Sequence, residues 1–242
     1  MSMSIISPLA NFVWKLLFRD HLPHPDYQTA VGGHWDEVGR LQFEFLMSEG
    51  LKPEHYLLDV ACGSFRAGRF FIDYLLPAHY YAFDGDHRLL EAGIQEVLKL
   101  EGLMDKEPQI RCICLGYQPV DFLHLLKRKF DYIWVHALFD HIPPEVIAST
   151  LNGLSQVLAE KVRLYATIFL NPYGPQYLEP ILHLRNGSSE GAITTHPDRE
   201  YWHHTLDYFE NLGEESGELL FDTCIHDYPH PLGLKVLRFL HR

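Results

Sequence analysis

Residues 55–86, HYLLDVACGSFRAGRFFIDYLLPAHYYAFDGD, decide the fold of this chain. The apolar run over 56–60 carries a single acidic residue, Asp59, and predicts a buried strand. A Gly-containing turn over 61–68 follows, then a helix, then a second apolar strand that ends on Asp84. Such a turn lets the backbone approach a ligand closely, and the helix N-terminus offers free N–H groups. Because a carboxylate at the second strand tip can accept both ribose hydroxyls, the stretch predicts a nucleoside site.

Strand and helix patterns alternate from residue 55 to residue 170, which predicts an α/β fold with a doubly wound parallel sheet. Two further strands are joined by HDYPHPLG, which is too short for a crossover helix, so the last strand should run antiparallel. The remaining strands are predicted over 110–115, 130–136, 162–170, 218–225 and 234–240, and the remaining helices over 35–50, 89–100, 121–126, 145–158 and 201–212.

Three regions follow from these patterns. Residues 1–50 are predicted to form N-terminal helices that cap the domain formed by residues 51–242. Within that domain, the Pro-, Gly- and His-rich start of residues 171–212 predicts an insertion on the substrate side of the sheet. Residues 4–18 are apolar but contain Lys15, so we expect an amphipathic helix and no stable membrane insertion, with contact to a membrane surface as the alternative.

The bulk composition narrows the class of partner. The net charge of −12 argues against a nucleic-acid surface, which needs clustered Lys and Arg. The cysteines form no Cys-x-x-Cys pair, which favours free thiols in a reducing, cytoplasmic setting. A metal could be bound by His226, His230 and one of His203 and His204, or by Asp140 with Asn171, but the first set falls in a Pro-containing turn and the second lacks a third carboxylate, so no metal is expected.

Four motifs in chain order resemble those of the class I S-adenosylmethionine-dependent methyltransferases. They are LLDVACGSFRAG (57–68), YYAFDGD (80–86), FDYIWVHALFDHIPPE (130–145) and DYPHPLGLKVLRF (227–239). The resemblance implies a seven-stranded sheet whose last strand is antiparallel, and S-adenosylmethionine as the cofactor, released as S-adenosylhomocysteine. It also implies a small-molecule acceptor and a monomer or homodimer. The chain departs from the pattern at Ala61 and Phe65, where the family's turn has glycines, so we expect a less open turn.

The resemblance also assigns residues. The positions implied to line the methionine part of the cofactor are Asp59, Ala61, Cys62 and Gly63. Asp84 would bind the ribose hydroxyls, Asp121 would lie near the adenine, and His136 would flank the transferred methyl group.

Methyl transfer to oxygen needs a base, and imidazole suits that role at neutral pH. His141 is the first candidate, with His230 and His226 second. Each has a structural alternative: His141 as a residue at a helix start, and the other two as parts of an Asp–His-stabilised turn. Transfer to an amine or a carboxylate needs only positioning, and a methyltransferase-like binding protein without activity is the remaining alternative. A nicotinamide site is disfavoured, because AxGxxxxG departs from GxGxxG.

Overall fold

The computed structural model describes residues 26–113, 128–216 and 219–241. The strands are β1 (Leu57–Val60), β2 (Tyr80–Asp84), β3 (Gln109–Cys112), β4 (Phe130–Val135), β5 (Leu158–Leu170), β6 (Ile181–Arg185), β7 (Ser188–Thr195), β8 (His203–His204), β9 (Leu219–Ile225) and β10 (Lys235–His241). The helices are α1 (Tyr27–Ala30), α2 (Trp35–Ser48), α3 (Gly68–Tyr74), α4 (His87–Gly93), α5 (Pro144–Ser155) and α6 (Leu206–Ser216). A π-helical turn (Ile94–Leu98) extends α4, and a 3₁₀ turn (Leu103–Lys106) precedes β3.

The main sheet has the strand order β3-β2-β1-β4-β5-β10-β9. The pairs from β3 to β5 are parallel, whereas β10 is antiparallel to both β5 and β9. The predicted doubly wound sheet with an antiparallel last strand is confirmed. The chain leaves β1 towards β2 and later returns on its other side as β4, which opens a crevice at the carboxyl ends of these strands, where α/β folds bind ligands.

Alternating side chains of β4 show how the sheet is buried. Ile133 and Val135 join a core that includes side chains of α5 and α6. Tyr132 and Trp134 point to the opposite face and join a second core that includes side chains of α2, α3 and α4. Since strand side chains alternate with a period of two, a strand covered by helices on both faces is mostly apolar, and β4 is apolar apart from Asp131 near its start.

The structure corrects the prediction of a helix over 201–212. His203 and His204 instead form β8, which lies parallel to the end of β5, and α6 begins only at Leu206. The backbone of Asn171 donates to the His204 carbonyl at 2.8 Å, so the segment continues the sheet. The pairing is between residues far apart in sequence, and the local pattern does not indicate it.

The insertion contains a hairpin that the sequence analysis did not predict. Strands β6 and β7 pair antiparallel and are joined through Asn186 and Gly187, which have φ values of 48° and 79°. Asn-Gly is the preferred pair for such a two-residue turn, so the signal was present in the sequence. The backbone amide of Asn186 donates to the Pro231 carbonyl at 2.8 Å, which ties the hairpin to the connection between β9 and β10.

Smaller corrections concern element ends. Strand β3 ends at Cys112, and the helix predicted over 145–158 ends at Ser155 because β5 starts at Leu158. Cys114 and the helix predicted over 121–126 lie outside the described residues, as do residues 1–25. No helix in the described part of the chain is long and apolar enough to cross a membrane.

The turn after β1 is supported from the core side by Phe65 and Gly93. Phe65 is fully buried, and a Cβ on Gly93 would lie 2.6 Å from both the Phe65 ring and the Ser64 carbonyl oxygen. Only a glycine in α4 lets the helix approach the turn this closely.

We therefore expect Gly93→Ala to lower the free energy of unfolding by about 1–3 kcal/mol, because the added methyl group overpacks the contact. The higher helix propensity of Ala, about 1 kcal/mol, opposes this effect and does not outweigh a backbone clash. Urea unfolding measures the change, with Glu91→Ala on the exposed side of the same helix as the control. Equal or higher stability of Gly93→Ala would contradict this account of the turn.

Candidate functional site

The turn after β1 has an unusual backbone. Ala61, Gly63 and Phe65 all lie in the left-handed region, with φ values of 59°, 58° and 66°. For Ala and Phe this conformation costs about 1–2 kcal/mol per residue. The chain therefore keeps the conformation that glycines favour at three alternating positions although two of them are not glycine. Backbone strain of this kind clusters at ligand sites.

The side chain of Phe65 points into the core. It is fully buried, and it contacts Gly68 and Gly93 on the core side. Its burial offsets the strain at its own backbone. The segment that faces Gly63 is instead N-terminal: a Cβ on Gly63 would lie 2.7 Å from a Val31 methyl group.

Two hydrogen bonds join the tips of β1 and β2. The backbone amide of Cys62 donates to the Phe83 carbonyl at 3.2 Å, and that of Gly63 donates to Asp84 Oδ2 at 2.8 Å. Asp84 Oδ1 accepts from the amide of Asp86 at 2.8 Å. A carboxylate has about four acceptor positions, so the partly exposed Asp84 retains capacity for the two hydroxyls of a ribose.

The first acidic residue, Asp59, has a different environment. It is buried and accepts a 2.7 Å hydrogen bond from the Tyr80 hydroxyl. Burial raises the pKa of Asp59 to about 7, the Asp84 charge adds to this, and the Tyr80 bond opposes it. Burial also raises the pKa of the neighbouring Cys62, which keeps it a thiol. Asp59 thus sits beneath the turn and contributes a carboxyl group that titrates near neutral pH.

A second group of polar side chains lies between the turn and the connection from β9 to β10. The ring of His136, at the end of β4, lies 5.4 Å from the ring of His230 and 6.3 Å from that of Tyr228. Burial, together with His230 and Arg66, lowers the pKa of His136 well below its ordinary value. Burial, Arg66 and His34 lower the pKa of His230 to about 3, so both rings are neutral at neutral pH.

Arg66 belongs to this group, and the sequence analysis missed it. Its Nη1 donates to the carbonyls of Val31 at 2.6 Å and Gly33 at 2.9 Å, and Ser64 Oγ donates to the Tyr27 carbonyl at 2.8 Å. Together these bonds hold the segment before α2 over the turn. The sequence signal was weak, because Arg66 and Arg69 both lie in this strand–turn–helix stretch and the sequence does not show which of them is buried beside the turn.

The hairpin β6–β7 reaches the same segment. Arg185 Nη2 contacts His34 Nε2, and His34 Nδ1 lies 2.7 Å from Glu37 Oε2. The N-terminal segment, the hairpin and the connection from β9 to β10 therefore meet above the strand tips.

His141 lies in a separate place, after β4. Its Nδ1 is 2.7 Å from Glu200 Oε1, and its Nε2 is 3.4 Å from Asp140 Oδ2. The ring packs edge-on against Tyr201 at 5.0 Å. Burial raises the pKa of Asp140, and the neighbouring His141 opposes that rise, while Glu200 stabilises the imidazolium that forms when the ring takes a proton. His141 is partly exposed, with 36% of its side chain accessible, so it can reach a ligand.

Three other residues named in the sequence analysis are His226, Asn171 and Asp121. His226 is exposed, and its carbonyl accepts from Lys235 Nζ at 3.0 Å. Asn171 shapes the loop after β5, since its amide donates to the carbonyls of Gly174 and Tyr177. Asp121 lies outside the described residues. Within the described chain, no three His, Cys, Asp or Glu side chains form a group that could hold a metal ion.

No protein-family model matches the sequence. Solved structures do resemble it. Magnesium protoporphyrin IX methyltransferase from Synechocystis, with bound S-adenosylhomocysteine, is 13% identical, with a TM-score of 0.58 over 86% of both chains. The CcbJ methyltransferase from Streptomyces caelestis is 10% identical, with a TM-score of 0.60 over 84% of this chain and 89% of that one. The DhpI–SAM–HEP complex is 13% identical, with a TM-score of 0.59 over 98% of this chain and 99% of that one. The chain has the class I methyltransferase fold that its motifs predicted.

The raised pKa of Asp59 gives a test of the site's electrostatics. The unfolded chain releases this proton near pH 3.8 and the folded protein near pH 7, so the folded protein binds the extra proton between these values. The free energy of unfolding should therefore fall as pH rises from about 4 to about 7, by at most about 1.4 kcal/mol per pH unit from this group. Relative to the wild type, Asp59→Asn should gain stability across this window in urea unfolding.

The difference in the free energy of unfolding between the wild type and Asp59→Asn removes the contribution of the histidines, which is the same in both proteins. Asp105→Asn, at an exposed acid, is the control and should follow the wild type. Parallel stability profiles of the wild type and Asp59→Asn would contradict the buried, protonated carboxyl group.

Proposed function

We propose that this chain is an S-adenosylmethionine-dependent methyltransferase that acts on a small molecule, with oxygen as the methyl acceptor and His141 as the general base. The observation that carries the proposal is the joined pair of strand tips. A strained turn brings the Gly63 amide to the Asp84 carboxylate, beside the crevice of a methyltransferase fold. S-adenosylmethionine or its product is bound in two of the solved relatives, which supports the same cofactor here.

The residues at the turn fit this cofactor. Asp84 has acceptor capacity for the ribose, and the backbone of Ala61, Cys62 and Gly63 would line the methionine part. His136, at the tip of β4, would flank the methyl group. When bound, the cofactor supplies an electrophilic methyl group whose carbon–sulfur bond breaks as the bond to the acceptor forms. The chain's own task is to align the two molecules and to exclude water.

The segment before α2, which covers the turn, supports the exclusion of water. Arg66 and Ser64 bind the segment around Val31, and the hairpin β6–β7 contacts this segment through His34. We therefore assign the described part of residues 1–50 the role of a cap, and residues 171–212 the role of the acceptor-side wall.

The surroundings of His141 support its proposed role as the base. Glu200 fixes the His141 ring through Nδ1, and Asp140 lies on the side of Nε2. On taking the hydroxyl proton of the acceptor, the ring becomes a cation between two carboxyl groups, which favours the transfer. By contrast, His230 has a pKa of about 3 and is a weak base at neutral pH.

Asp84 provides the first test. Titration calorimetry with S-adenosylmethionine should show binding to the wild type, and Asp84→Asn should bind at least about tenfold more weakly, because the ribose loses a charged acceptor. Asp105→Asn, at an exposed acid, should bind like the wild type. Wild-type protein that binds no cofactor at high micromolar concentration would remove the enzyme hypothesis. Binding without any methyl transfer would favour a binding protein instead.

His141 provides the second test. S-adenosylhomocysteine release can be followed with panels of phenols, amines and carboxylic acids. For a hydroxyl acceptor, His141→Gln should lower turnover by about 100-fold or more and leave cofactor affinity unchanged. His226→Gln and His230→Gln serve as the competing variants. If only one of these lowered turnover, the base would be reassigned to it. If all three kept normal turnover on an amine or carboxylate, positioning alone would account for catalysis.

A further inference from the structure

Three buried polar atoms close to the turn have no hydrogen-bond partner among the described residues. They are Arg66 Nε, His136 Nε2 and the Tyr228 hydroxyl. The residues that carry them are only 8%, 7% and 3% exposed. An unsatisfied buried donor or acceptor costs about 1–3 kcal/mol, so three of them at one place require an explanation.

These groups form one cluster. The rings of His136, Tyr228 and His230 lie 5.4–6.3 Å from one another, and those of Tyr228 and His230 are stacked. The charge of Arg66 lowers the pKa of His136 and His230 and opposes the rise that burial causes in the pKa of Tyr228. The guanidinium charge therefore affects the pKa of all three side chains. The Val31–Gly33 backbone covers the guanidinium group, which donates to the carbonyls of Val31 and Gly33.

The cluster contains one positive charge, that of Arg66. In the part of the chain that the structure describes, Arg66 donates to neutral carbonyls and forms no ion pair. Asp59 accepts its hydrogen bond from the Tyr80 hydroxyl and not from Arg66. Burial lowers the pKa of Arg66 to about 10, so it remains a cation at neutral pH. A buried cation is costly unless an anion pairs with it.

We propose that Arg66, His136, Tyr228 and His230 form a subsite for a small oxyanion, a carboxylate or a group of similar shape, on a ligand bound at the turn. A guanidinium, a phenol and neutral imidazoles are the donors that suit such a group. This inference rests on the proposed function and extends it. The oxyanion has two sources, the amino-acid end of the cofactor and an acid group on the acceptor, and the experiment separates them.

Tyr228→Phe is the informative variant. The hydroxyl has no partner in the described chain, so its removal should leave stability to urea unchanged or raise it. Oxyanion binding should fall about tenfold, because a hydrogen bond to a charged group is lost. Tyr208→Phe is the matched control. That hydroxyl donates to the Pro144 carbonyl at 2.6 Å, away from the turn, so its loss should lower stability and leave affinity unchanged. His136→Phe, which keeps the aromatic packing, is the second variant.

Three probes are titrated by calorimetry: S-adenosylhomocysteine, 5′-methylthioadenosine, which lacks the amino-acid end, and benzoate added to protein saturated with S-adenosylhomocysteine. If the cofactor supplies the oxyanion, Tyr228→Phe should weaken S-adenosylhomocysteine about tenfold and leave 5′-methylthioadenosine unchanged. If the acceptor supplies the oxyanion, Tyr228→Phe should bind both nucleosides normally and should bind benzoate more weakly.

The subsite is overturned if both variants bind S-adenosylhomocysteine and benzoate like the wild type. It is also overturned if the wild type binds no benzoate and the variants bind S-adenosylhomocysteine normally. Should the wild type bind neither nucleoside, the proposed function fails. The subsite is then judged by benzoate titrated into the protein alone, where weaker binding to the variants supports it and equal or absent binding overturns it.

Discussion

The hydrogen bond from the Gly63 amide to the Asp84 carboxylate is the contact on which the site depends, because it joins the tips of β1 and β2. In the turn that donates this bond, Ala61 and Phe65 have left-handed backbone conformations, which are costly for residues with a Cβ. The full burial of the Phe65 ring against Gly93 offsets that cost. The close packing of α4 on the turn is thus part of the same backbone arrangement that joins the strand tips.

The sheet could be predicted from the sequence because its determinants are local. Buried strands are apolar runs, and the length of HDYPHPLG excludes a parallel connection. The hairpin β6–β7 was missed although Asn186-Gly187 indicated it, whereas β8 could not be predicted, since it exists only through pairing with the end of β5. For the site, the sequence identified the strand-tip carboxylates but not Arg66, whose role depends on the path of the segment before α2.

Buried polar groups near the turn fall into two classes, and the difference carries functional information. Asp59 and Tyr80 satisfy each other, so this pair contributes to the fold without a ligand. Arg66, His136 and Tyr228 each keep a buried polar atom without a partner in the described chain. If these groups served packing alone, apolar side chains of similar size would do so at lower cost. The proposed oxyanion would complete these hydrogen bonds and supply a negative charge beside Arg66.

The histidines around the crevice then divide by electrostatics. His136 and His230 lie in one cluster with the buried cation Arg66, which opposes a second positive charge. Both rings therefore act as neutral donors or acceptors. His141 lies between Asp140 and Glu200, where a positive charge is stabilised. A nearby negative charge favours proton uptake by an imidazole, whereas a nearby cation opposes that uptake and favours an anion. The surroundings of Arg66 therefore favour an anion, and the surroundings of His141 favour a proton on the ring.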